Sequence, residues 1–267
     1  MNAGPATIDS KVVDRSLRAI LWSRLKAEGF DRRTGRTTWR DRPGCVQTVN
    51  VQSFNNYLAE AIGSTTFSFS VNLGVFFAVI AEHSALGAFV KDPSRPAEYH
   101  CHVRYHLAKG ISQPNEPSTK RSFDPRVPTR TPGAWEDRPD VWYVQRDGSN
   151  VDESVSDARD RVVTIGLPWL ERLSDLSEAR RAILEDPETN HARGIVAEGY
   201  GGAIGSPARW HAFGALSIAL GDPDGIAWAT REMESQSYYR EHPANLEALR
   251  RASGAEPDRQ PRLDSRA

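Results

Sequence analysis

Cysteine is scarce in this chain. Only Cys45 and Cys101 occur, in strand-like surroundings and without any zinc-type spacing, so in a reducing cytoplasm, where the chain is expected to reside, they read as buried thiols. Long apolar runs are missing too. The longest, 75–81, is far too short to cross a bilayer. Near the N-terminus the longest apolar run is only 19–22, with Asp9 and Asp14 close by, so neither a signal peptide nor a membrane partner is expected. An excess of one charge is also absent: 34 Lys and Arg stand against 35 Asp and Glu. Dedicated nucleic-acid binders carry a positive surplus to neutralise phosphates, so a nucleic-acid partner is disfavoured. Motifs for covalent chemistry are lacking as well. There is no Gly-x-Ser-x-Gly elbow, and the Gly-rich stretch 199–206 has neither a Walker lysine nor a clear strand before it. It reads as a flexible connector, and no cofactor is expected.

What is present is material for a core: 267 residues, 39% of them apolar, with 7 Trp, 9 Phe and 7 Tyr. Charge is uneven only locally. From Lys11 to Arg42 ten basic residues face four acidic ones, which reads most plainly as the solvated face of a first helix and a basic turn. That helix is predicted over 10–28, where Val13, Leu17, Ile20, Leu21 and Leu25 form one stripe, Gly29 ends it and Phe30 folds back onto the core.

Strands are predicted at 36–41, 45–53, 65–77 and 98–106, with a short one at 141–144. A turn at Pro43-Gly44 joins the first two. The 65–77 segment has the clearest alternation: Phe67, Phe69, Val71, Leu73, Val75 and Phe77 interleave with Ser68, Ser70, Asn72 and Gly74. Residues 108–140 form a Pro-rich loop. From Asp152 the period turns helical, and after 186–205 a helical hairpin is expected. Ser206 would cap it, Trp210, Phe213, Leu216 and Leu220 would pack it, and Gly221-Asp222-Pro223 would turn it. The fold class is therefore α+β: an antiparallel sheet of about four to five strands with helices on one face, plus a C-terminal helical hairpin. The division expected is a core over 1–185, a helical extension over 186–252 and a disordered tail over 253–267.

Five segments stand out in order: the helix end Leu25-Lys26-Ala27-Glu28-Gly29-Phe30, Val49-Asn50-Val51-Gln52-Ser53, Phe69-Ser70-Val71-Asn72-Leu73-Gly74, Cys101-His102-Val103-Arg104 and Gly166-Leu167-Pro168-Trp169-Leu170-Glu171-Arg172. Taken in that order they resemble the domain of unknown function 4304 family (DUF4304) over roughly residues 10–175. The resemblance implies a fold unit and no particular chemistry.

Side chains alternate along a strand, so the side of the sheet turned from the helices would carry Asn50 and Gln52, Ser68, Ser70 and Asn72, and His100, His102 and Arg104. Amides, hydroxyls, imidazoles and a guanidinium fork suit an anion or an acidic peptide, although a half-covered sheet is polar on its wet side in any case. The candidate ligand-binding residues are Asn50, Gln52, Ser70, Asn72, His102 and Arg104. An alternative is a metal-dependent hydrolase using His100, His102 and His106. Cys101, between two histidines that point the other way, is placed on the apolar face as inert packing. The reading favoured is a noncatalytic module that recognises a protein partner or a small anionic ligand.

Overall fold

A computed structural model of the chain describes residues 9–61, 64–84, 90–113, 138–184, 199–202, 208–241, 243–252 and 254. The first helix is opened by Asp9, whose carboxylate accepts the Lys11 N–H. It runs as α1 (Ser10–Ser16) through a π-helical turn (Leu17–Trp22) into α2 (Ser23–Ala27). Val13, Leu17, Leu21 and Leu25 are buried on one stripe, Gly29 ends the helix at positive φ, and Phe30 turns back into the core.

Among the described residues six strands follow, each antiparallel to its neighbour and laid down in chain order: β1 (Arg32–Thr34), β2 (Thr37–Arg42), β3 (Cys45–Ser53), β4 (Phe69–Phe77), β5 (Val103–His106) and β6 (Gly199–Gly202). Three expectations need correction. The segment 98–106 is strand only from Val103, because Glu98–His100 makes a 3₁₀ turn. Residues 141–144 contribute a single bridge, Trp142 to Phe69, in place of a strand. Gly199–Gly202, expected as part of a connector, is the edge strand beside β5. The Ser206 cap, residues 114–137 of the Pro-rich loop and most of the tail lie outside the described residues.

Between β3 and β4 lies the short α3 (Asn56–Ala61), and after β4 comes α4 (Ala78–Glu82). A second long helix is built as α5 (Val151–Arg161), a π-helical turn (Val162–Gly166) and α6 (Leu167–Arg172). Together with the first helix it covers one face of the sheet, closing a core with Val49, Val51, Val71, Leu73, Val75 and Val103. Gly166 permits that approach: a Cβ there would stand 3.0 Å from Leu73 Cδ1. A polar clamp is sealed within this face. Gln47, fully buried, accepts from Arg40 Nε at 2.7 Å and donates to the Leu170 carbonyl at 2.6 Å and to Ser174 Oγ at 2.7 Å. Arg40 also donates to the Glu28 carbonyl and to Glu171.

The remaining helices among the described residues are α7 (Leu176–Leu184), α8 (Ala208–Ala219), α9 (Pro223–Ser235), α10 (Ser237–Glu241) and α11 (Ala244–Ala252). Asp222 caps α9 through the Gly225 N–H, with Pro223 in the first turn. Trp210 and Phe213 meet Trp228 edge-on within the same chain, at 5.0 and 4.8 Å between centroids. Phe213, Leu216, Met233 and Leu249 belong to the same buried cluster as the sheet. Among the described residues no helix is long and apolar enough to cross a membrane.

Candidate functional site

Register places four side chains in one row across four strands. Thr37 of β2 is opposite Asn50 of β3, Asn50 opposite Asn72 of β4, and Asn72 opposite His106 of β5. Directly opposed residues share a face, so the row lies on the side turned away from the Val49–Leu73 core. Gln52 and Ser70 form the next row on that face, and Thr48, Gly74 and Arg104 the row on the other side.

Hydrogen bonds tie these side chains together. Asn50 Nδ2 donates to Thr37 Oγ1 at 2.8 Å, and Asn72 Nδ2 donates to Gln52 Oε1 at 2.9 Å. His106 Nδ1 stands 2.8 Å from Asn72 Oδ1. The Asn72 oxygen can only accept, so the imidazole proton sits on Nδ1 and the neutral ring presents Nε2 as an acceptor. Burial lowers the His106 pKa first of all; the pull of Glu98 and Asp140 upward is opposed by Arg104 and Arg138. Gln52, whose oxygen accepts from Asn72, is exposed.

One end of this face is closed by the chain itself. The Trp39 indole donates to the Pro96 carbonyl at 2.8 Å. Cys101 lies over Gly74, where a Cβ would meet its side chain at 2.6 Å, and its Sγ is 3.6 Å from Thr48 Oγ1. Cys101 is thus on the polar side, not the apolar side expected for it, because the 3₁₀ turn carries residues 98–101 across the sheet before β5 begins. Burial pushes its thiol up to about 12, which leaves it protonated and inert.

The expected residues meet different fates. Asn50 is half-buried and Gln52 exposed, whereas Ser70 and Asn72 are buried. The Arg104 fork is occupied by the buried Glu98 at 2.6 and 3.1 Å, a bidentate pair that an incoming anion would have to displace. A second fork close to His106, that of Arg138, is held by Asp140 in the same manner. Ser68 precedes the strand and bonds the Val144 N–H. His102 accepts the Phe77 N–H on Nδ1 at 3.0 Å and stacks on Phe76; burial, with a smaller contribution from His211, depresses it to about 3. His100 lies in the 3₁₀ turn against Tyr99. Among the described residues no group of three or more His, Cys, Asp or Glu is placed to hold a metal ion. Sequence reasoning missed Thr37 as the outer end of the row, and Glu98 and Asp140 as the carboxylates that neutralise the face. Strand alternation reaches Thr37 once β2 is placed; nothing local marks the other two.

The sequence profile of a family described as a domain of unknown function (DUF4304) matches residues 21–172. No curated protein and no solved structure matches the chain.

Proposed function

Starting from the fact that this chain belongs to the DUF4304 family, we propose that it is a noncatalytic recognition module. It reads polar, uncharged groups of a protein partner on the Thr37–Asn50–Asn72–His106 row. The observation that carries this reading is the hydrogen-bonded chain that runs from His106 Nδ1 through Asn72 to the exposed Gln52. The face therefore offers a fixed acceptor and a fixed donor with no ionic change, the complement of a peptide N–H and C=O. The guanidinium forks beside it already hold carboxylates, which weighs against a small anion on this face.

Selection of random uncharged peptides on the wild-type protein, followed by affinity measurement on Gln52→Ala and His106→Gln, tests the reading. The winning peptides are expected to lose at least tenfold in affinity on each variant, about 1.4 kcal/mol. Equal affinity for wild type and both variants would show that the row is only the wet side of a sheet.

A further inference from the structure

On the helix-covered side of the sheet, at its margin, a cleft of about 150 Å³ opens between the first helix and the β1–β2 hairpin. Its walls are Asp14, Arg18 and Trp22 from the helix, and Arg33, Gly35 and Arg36 from the hairpin. Three guanidiniums face one carboxylate, so the cleft carries a surplus of positive charge in a molecule whose overall net charge is −1.

The three arginines play different parts. Arg36 is fixed: Nε and Nη2 both reach Asp14 Oδ1 at 2.9 Å, and Nη1 donates to Ser53 Oγ. Arg33 is half-fixed, with Nη1 on the Gly35 carbonyl at 3.3 Å and its guanidinium 5.9 Å from the centroid of the buried Trp22 ring. Arg18 is exposed and, among the described residues, forms neither an ion pair nor a hydrogen bond. Two arginine heads with donors to offer thus converge on one small cleft, backed by an aromatic wall and a third, positioned arginine. The remaining charges of this segment are largely matched: Arg24 with Glu28, Arg32 with Asp41, and Arg40 and Arg42 with Glu171.

We propose that this cleft is a binding site for a phosphoryl-sized oxyanion, gripped by Arg18 and Arg33 and oriented by Arg36. Arginine forks bind tetrahedral oxyanions through paired, charge-assisted N–H donors. The volume is well under the roughly 300 Å³ at which drug-sized pockets begin, so it admits an anion or the phosphoryl head of a longer ligand and no more. The site lies on the opposite side of the sheet from the His106 row and does not depend on it.

The test is calorimetric titration of the intact protein with inorganic phosphate at constant ionic strength, for wild type, the double variant Arg18→Gln/Arg33→Gln and Asp14→Asn. Arg18 and Arg33 make no ion pair among the described residues, so the double variant is expected to fold, which its melting curve verifies. Saturable binding by wild type, weakened at least tenfold in the double variant and tightened in Asp14→Asn, is the expected result. A short phosphoserine peptide titrated in parallel separates the sources. Binding tighter than phosphate assigns the site to a modified protein; exclusion of the peptide assigns it to a free small anion. No saturable phosphate binding, or equal binding by wild type and the double variant, overturns the proposal.

Discussion

Gln47 shows how one polar side chain can hold several elements together. It sits on β3 with no exposed surface, and its amide is matched on both sides: the oxygen takes Arg40 of β2, and the nitrogen serves Leu170 of α6 and Ser174 beyond it. A buried donor or acceptor left without its partner costs about 1–3 kcal/mol, more when a charge is involved. Gln47→Leu keeps the bulk but strands the Arg40 Nε–H and leaves the Leu170 carbonyl only the longer bond from Ser174 Oγ at 3.3 Å. It is expected to lose about 2–4 kcal/mol in urea denaturation. A loss below about 0.5 kcal/mol would mean that the clamp relaxes onto other partners.

At the scale of elements, β3 and β4 were legible because their side chains alternate over nine residues each and both faces have a use for that alternation. The same period alone puts Asn50, Gln52, Ser70 and Asn72 on one side. It failed at 98–106, where the alternation of Tyr99, Cys101 and Val103 continues through a 3₁₀ turn that sequence does not distinguish from strand. It failed again at Gly199–Gly202, since three glycines in four positions leave no pattern to read. The Glu98–Arg104 pair escaped for a related reason: only the turn brings those residues into contact. The sheet also meets the C-terminal helices through imidazoles. His102 is depressed to about 3, and burial lowers His211 of α8, whose Nε2 bonds the His83 carbonyl at 2.8 Å. A folded pKa below the unfolded value of about 6.5 means that the unfolded chain takes up more protons between the two. Stability is therefore full above about pH 6.5 and falls as the pH drops from there, for His102 by up to about 1.4 kcal/mol per unit toward pH 3, with His211 adding to the loss in the same direction. Urea midpoints between pH 7.5 and 5, above the usual carboxylate range, are expected to fall with acidity, and less so in His211→Gln. A flat profile would mean that these rings protonate freely in the folded state.

At the scale of the whole molecule, the family match ends at residue 172, yet the buried cluster does not. Ala212, Phe213 and Leu216 of α8 and Leu249 of α11 are buried in the same core as Leu73 and Val162. Cutting the chain after Leu184 removes β6 and every helix from α8 onward, exposing apolar surface on α4 and α7 that α8 now covers. Such a fragment is expected to lose its cooperative melting transition and to bind a hydrophobic dye, features of an expanded, loosely packed state. A sharp transition close to that of the full chain would show that the family segment stands alone.

The neighbour that completes β5 arrives late. β5 ends at His106 and its outer partner β6 begins at Gly199, whereas every earlier strand pair closes over a much shorter stretch of chain. During synthesis, therefore, the first five strands are finished long before the sixth emerges. Through that interval the outward N–H and C=O groups of Val103–His106 form an open edge, the kind that recruits foreign strands. That edge stays open for as long as the ribosome takes to reach four residues, three of which are glycine.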